Sequence, residues 1–193
     1  STLWILARLS QVEVRGRIML LFAGTLWNLA ITFGLLGILD GYMNAHEMLE
    51  MPTIVWPALF ISYSVIAFLA LVIHRSRKHS DTIAPQWFIL GSLIWFPALF
   101  LIAWNGLEIN PARGTLPSVL SLWFGQSLIW LWLTPMALGA AYYIIPSILG
   151  RAIDKYYLAI FGFWCIAALA PWSVVHHLEG GPVPMWIPAI GTV

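Results

Sequence analysis

Five stretches of 18 to 30 residues, at 18–39, 54–73, 87–104, 116–145 and 157–177, contain no Asp, Glu, Lys or Arg. That feature restricts the fold more than any other in the chain. In a hydrocarbon layer about 30 Å thick, every backbone N–H and C=O must be satisfied within its own segment, and a helix does so at 1.5 Å per residue. The expected fold is therefore all-α, a polytopic transmembrane helix bundle with five complete spans in one membrane domain over 1–193. A charged share of only 9%, against roughly 25% in soluble domains, points the same way, as do 12 tryptophans, a residue that collects at bilayer interfaces.

The connecting segments carry charge asymmetrically. When five spans alternate in direction, Arg8, Arg15, Arg17, Arg75, Arg77, Lys78, Arg151 and Lys155 share one side, and Arg113 alone of the 9 Lys and Arg lies opposite. The basic side is expected to be cytoplasmic. Asp40, Glu47, Glu50, Glu108 and Glu179 fall on the other side, and His74 and His79 read as solvated neighbours of the basic cluster. A net charge of +1 without a long basic run argues against a nucleic-acid partner. Cys165 is the only cysteine, so the chain builds neither an internal disulfide nor a thiolate metal site. It opens within apolar sequence and closes as another apolar stretch begins, which reads as part of a larger protein.

Polar and proline residues inside the spans are the informative exceptions. Asn28 is expected to face another helix, because an unsatisfied amide in hydrocarbon is costly. Pro97 is expected to kink the third span and Pro135 to interrupt the fourth, which is long enough to tilt or protrude. The fifth span ends in His176-His177. Adjacent residues on a regular helix diverge by about 100° and do not face one ion, but Pro171 removes a donor and loosens the turn ahead of them. The pair is thus either an interfacial polar cap or two imidazoles offered to one metal. Gln126 lies about ten residues into the fourth span, roughly 15 Å deep, and would line the same site if the segment after Pro171 folds inward.

A further set of anchors comprises Pro85-Gln86-Trp87-Phe88 ahead of Trp95-Phe96-Pro97, then Trp123-Phe124-Gly125, and Leu138-Gly139-Ala140-Ala141-Tyr142-Tyr143 with Pro146. Gly150-Arg151, Phe163-Trp164 and His176-His177 complete it, with unbroken spacing from Trp123 onward. On these residues the chain resembles subunit I of the haem-copper oxidases, specifically the cbb3-type cytochrome c oxidases. The resemblance implies a larger fold of about twelve helices in a bacterial inner membrane, with His176 and His177 toward the outer side. It implies haem and copper in the full-length parent, with other oxidase subunits, a cytochrome c electron donor and the lipid bilayer as partners.

In that family the histidine pair supplies two of three imidazoles to copper, and here Gln126 stands at the third-ligand position. A carboxamide is a poorer copper donor than imidazole, so an altered copper site is expected. The family's redox-active tyrosine, about six residues ahead of the pair, corresponds to Ala170. Tyr142, Tyr143 and Tyr156 match a cytoplasmic proton path. The implied function is part of the catalytic subunit of a respiratory terminal oxidase that reduces oxygen. The alternatives are a nitric oxide reductase of the same superfamily, which holds iron in the copper position, or a non-catalytic membrane subunit. No glutamate lies in a span near Gln126 to complete such an iron site. No His-x-x-x-His occurs, so haem ligands are not assigned within the chain. The 193-residue chain alone is expected to hold neither haem nor copper tightly, since two imidazoles offer too few donors. Metal analysis and optical spectra of the purified chain check this, and tight binding of either group would overturn it.

Overall fold

A computed structural model describes residues 2–14 and 16–192, and among these the chain is helical with no strand. Arg15, counted above on the basic side, lies outside the described residues. The elements are α1 (Thr2–Leu9), α2 (Arg17–Leu39), α3 (Trp56–Arg75), α4 (Ala84–Trp104), α5 (Leu116–Ser127), α6 (Thr134–Leu149), α7 (Tyr156–Leu169) and α8 (Trp186–Gly191). Five helical runs among the described residues are long and apolar enough to cross a membrane: Arg17–Leu39, Thr53–Arg75, Ala84–Ile109, Leu116–Leu149 and Tyr156–Leu178. The fourth has 34 residues, about 50 Å at 1.5 Å each, so it tilts or extends beyond the hydrocarbon.

The prolines act differently from one another. Pro135 has no N–H for the Leu131 carbonyl, and its ring crowds the preceding turn. Instead of interrupting the span, it is preceded by a widening of the helix into a π segment over Leu128–Leu133, after which α6 continues. α4 runs through Pro97 as one helix, and its irregularity comes later, in a π turn at Asn105–Ile109. There Asn110 closes the end, with its Nδ2 donating to Asn105 Oδ1 at 2.7 Å. Pro171 has the largest effect: from Ala170 to Leu178 the chain tightens into a 3-10 helix.

α4 is the centre of the bundle and packs against α1, α3, α5, α6 and α7. Its buried face includes Phe88, Ile89, Leu93, Phe96, Phe100 and Ala103. Phe96 lies 4.2 Å from the Tyr63 ring and 4.6 Å from the Trp132 ring, and Trp132 Nε1 donates to the Tyr63 hydroxyl. The α4–α6 crossing is close because Gly139 has no side chain. A Cβ there would stand 2.6 Å from Ile89 Cγ1 and 3.2 Å from the Ile89 backbone nitrogen.

Two polar expectations are corrected. Asn28 is exposed on α2 and does not meet another helix of this chain; its Nδ2 donates to the Gly24 carbonyl at 2.7 Å, which satisfies the amide within its own helix. His79 is half-buried and not simply solvated. Its Nε2 bonds the Leu9 carbonyl at 2.7 Å and its Nδ1 the Asp81 carbonyl at 2.8 Å, so it ties the end of α1 to the α3–α4 link. Beside it Gln86 is fully buried, accepting from Ile83 N and donating to Ser10 Oγ.

Three of the spans, Ala84–Ile109, Leu116–Leu149 and Tyr156–Leu178, separate the 76–83 link from the 179–185 link, and an odd number puts the two at opposite ends of the bundle. Cysteines introduced as Ser80→Cys and Gly180→Cys are expected to react with an impermeant reagent from opposite faces of a vesicle; equal labelling from one face would overturn the topology. Gly139→Ala is expected to destabilise the fold by about 1–3 kcal/mol through overpacking. Gly162, with open space where a Cβ would be, tolerates the same change. Thermal denaturation in detergent separates the two.

Candidate metal centre

The histidine pair sits on the 3-10 segment Ala170–Leu178, whose geometry follows from Pro171. In a 3-10 helix residues three apart eclipse one another, so Ala170, Ser173 and His176 form one row. Ser173 Oγ donates to the Ala170 carbonyl at 2.8 Å, and His176 Nδ1 bonds the Ser173 carbonyl. A carbonyl has no proton to give, so in the neutral ring Nδ1 carries the hydrogen and the lone pair is left on Nε2. Metal-binding imidazoles are commonly held in this way by a backbone carbonyl. The His177 ring lies 4.1 Å from that of His176, centroid to centroid, with 39° between the planes. His176 is half-buried and His177 exposed.

Gln126 is half-buried near the end of α5, and its Nε2 donates to Ser173 Oγ at 2.8 Å. The segment after Pro171 therefore meets α5, and the residue that Gln126 bonds is Ser173, one 3-10 turn from His176. Trp123 and Trp172 add an aromatic contact between the same two elements at 6.4 Å. On another side α8 closes on the segment. A Cβ at Gly191 would stand 2.6 Å from the His176 backbone nitrogen and 3.1 Å from the carbonyl oxygens of Trp172 and Ser173.

The donor set decides what the site can hold. Two imidazoles are adjacent, and the third nearby polar side chain is a carboxamide whose nitrogen is engaged by Ser173. Among the described residues no three His, Cys, Asp or Glu side chains converge. A three-imidazole copper site does not fit these residues. Ala170 is half-buried and brings to this row only a methyl group and a backbone acceptor.

A carboxylate that the sequence reading missed does approach α5. Glu47, on the 40–52 loop, donates its backbone N–H to Ser121 Oγ at 2.8 Å, and its carboxyl carbon lies 3.4 Å from where a Cβ on Gly125 would be. Hydropathy searches for acids inside spans and passes over one that a loop lays onto a helix. The only signal for it was Gly125 itself, a residue that leaves room for close approach.

Tyr142, Tyr143 and Tyr156 line one cavity of about 320 Å³ with Leu9, Ile83 and Pro146, at the end of the bundle opposite the histidines. Their environments differ. Tyr156 donates its hydroxyl to the Thr82 carbonyl at 2.6 Å and accepts from Trp87 Nε1 at 3.1 Å, whereas Tyr142 and Tyr143 pack edge or face against Phe88 and Trp4.

Comparison with known proteins follows the same lines. Residues 2–193 match the family described as cytochrome c and quinol oxidase polypeptide I. The chain is 27% identical over 182 residues to a cbb3-type cytochrome c oxidase subunit from Stutzerimonas stutzeri, covering 86% of this chain and 36% of that one. It is 26% identical over 184 residues to a cytochrome c oxidase subunit 1 homolog from Agrobacterium tumefaciens (strain T37), covering 86% and 32%. Against cytochrome c oxidase subunit 1 of Rhodobacter capsulatus it is 26% identical over 180 residues, covering 86% and 33%. The chain spans about a third of the length of these curated relatives.

Tyr156→Phe removes two hydrogen bonds and is expected to cost about 1 kcal/mol for each net bond lost, or less where water replaces the partner. Tyr142→Phe is expected to be near neutral. Denaturation midpoints of the two variants check this.

Proposed function

The chain belongs to the cytochrome c and quinol oxidase polypeptide I family, and on that premise we propose that it is part of subunit I of a respiratory terminal oxidase with an altered second-metal site. In the parent protein, electrons come from a cytochrome c, oxygen is reduced, and other oxidase subunits assemble around a multi-pass protein of the bacterial inner membrane. The histidine pair faces the outer side and the basic links face the cytoplasm. The parent's haem is held by residues outside this chain. His176 and His177 offer two imidazoles to a second metal, and Gln126 occupies the place of the third.

The observation that carries this reading is the pair itself: two rings 4.1 Å apart, one of them held by a carbonyl at Nδ1 so that Nε2 is free. An interfacial cap would need neither feature. Because the donor set lacks a third imidazole, no chemical step is assigned through copper. The chain's own contribution is to orient the pair and to present Tyr142, Tyr143 and Tyr156 around the cavity at the opposite end, as an uptake path for protons.

Nitric oxide reduction is the second reading. Ala170 favours it, since that chemistry does not need the tyrosine, and so does the carboxylate of Glu47 laid against Gly125. Against it, Glu47 does not converge with the pair. A non-catalytic role in the same fold is the outcome if the parent consumes neither gas.

The test is metal content, optical haem spectra and consumption of oxygen and nitric oxide by the full-length parent and its Gln126→His variant. The parent is expected to bind haem with less than one copper per protein, and Gln126→His to raise copper content. Stoichiometric copper and rapid oxygen turnover in the unmodified parent would overturn the altered-site reading.

A further inference from the structure

We propose that the cavity between the α1–α2 link and the end of α3 binds the headgroup of a membrane phospholipid that carries a primary ammonium beside its phosphate, as phosphatidylethanolamine does. The inference depends on the chain spanning a membrane and not on the metal or oxidase reading.

The cavity, of about 390 Å³, is set where the apolar sequence of α3 gives way to its charged end. Leu69 and Ile73 stand on its apolar side, and Gln11, Glu13 and Lys78 on its polar side. Along α3 its lining runs from Leu69 to Ser76, about 10 Å at 1.5 Å per residue. That depth takes in the edge of the hydrocarbon and the headgroup layer above it.

The link is built to stand off α3 at this level. It is fastened at one end by Lys78 N, which donates to the Ser10 carbonyl at 3.2 Å. At the other end Gly16, with φ 82°, closes on α3 so tightly that a Cβ there would stand 2.9 Å from Leu69 Cδ2. Between the two lies Gln11, whose φ of 55° is rare for any residue but glycine. Backbone held in that region clusters at sites that clamp a ligand, and Gln11 lines this cavity.

Charge decides which headgroup fits. Glu13 and Lys78 are both exposed, and they bring one acid and one base to the same cavity. The C-terminal end of α3, which carries about half a negative charge, lies beside them. An ammonium thus meets Glu13 and the helix end, while a phosphate meets Lys78. An anionic headgroup such as phosphatidylglycerol brings no cation for Glu13, and the quaternary nitrogen of phosphatidylcholine has no N–H to give the carboxylate. The basic links attract anionic lipid in general, and Glu13 among them is what selects the zwitterion with N–H donors.

The test uses the full-length parent in nanodiscs of equal parts dioleoyl phosphatidylethanolamine, phosphatidylcholine and phosphatidylglycerol, with retained lipid counted by native mass spectrometry. Lys78→Gln is expected to retain one phosphatidylethanolamine fewer than the parent, its affinity lower by about fivefold. Glu13→Gln lowers that affinity by about three- to tenfold and removes the preference over phosphatidylcholine. Arg75→Gln leaves retention unchanged, because Arg75 is an exposed cation of the same cluster that does not line the cavity. A second readout separates binding from folding. Replacing phosphatidylcholine by phosphatidylethanolamine in the nanodisc is expected to raise the thermal midpoint of the parent. The two cavity variants match the parent in phosphatidylcholine alone and lose that rise. Equal retention by parent and cavity variants would mean that solvent fills the cavity, and the proposal fails. It fails as well if Arg75→Gln loses as much as Lys78→Gln, or if phosphatidylglycerol is the lipid retained, since either result reduces the site to the general attraction of basic links.

Discussion

Hydrocarbon offers the backbone no hydrogen-bond partner, and every feature of this bundle is arranged around that condition. A proline inside a span withdraws one donor and crowds the turn before it, at a cost of about 3 kcal/mol or more in a helix interior. The chain has met that cost differently at each site. α4, packed against five other helices, continues through Pro97. Around Pro135 the backbone re-pairs one residue further on and becomes a π segment, with Leu131 buried inside it. At Pro171 it re-pairs one residue nearer and becomes a 3-10 helix. Neighbouring helices hold each deviation in place, and the last of them carries the histidines.

Polar side chains obey the same condition. Well inside the spans they bond back to carbonyls of their own helix: Asn28 to Gly24, Ser62 to Leu59, Ser92 to Ile89. Bonds between side chains of different elements gather toward the ends, as in Gln86 with Ser10 and Trp87 with Tyr156. Trp132 with Tyr63 in the aromatic core, and Gln126 with Ser173, are exceptions. A polar residue that satisfies itself leaves its helix free to face lipid, which is why Asn28 is no guide to where α2 packs.

The 3-10 row turns a local backbone property into a site. Tightening from 3.6 to 3.0 residues per turn brings Ala170, Ser173 and His176 into register. Ser173 then meets two groups by two separate bonds, the amide of Gln126 at its hydroxyl and His176 Nδ1 at its backbone carbonyl.

The sequence by itself determined the five crossings, their alternation and the family, because those depend on composition along the chain: apolar runs of sufficient length, charge in the links, and anchor residues at fixed spacing. It also marked His176, His177 and Gln126 as one neighbourhood, since Pro171 made a fold toward α5 available. What it did not contain was partnership. Whether Pro135 breaks or widens a helix, and whether His79 meets water or the end of α1, depend on atoms brought together from distant parts of the chain. The approach of Glu47 to Gly125, and the choice between Ser173 and a histidine as the partner of Gln126, depend on them as well. Apolar burial and backbone pairing are properties of each segment and can be read from it, whereas a hydrogen bond between segments has a direction and a reach of about 3 Å, and only the packed tertiary structure decides which groups come that close.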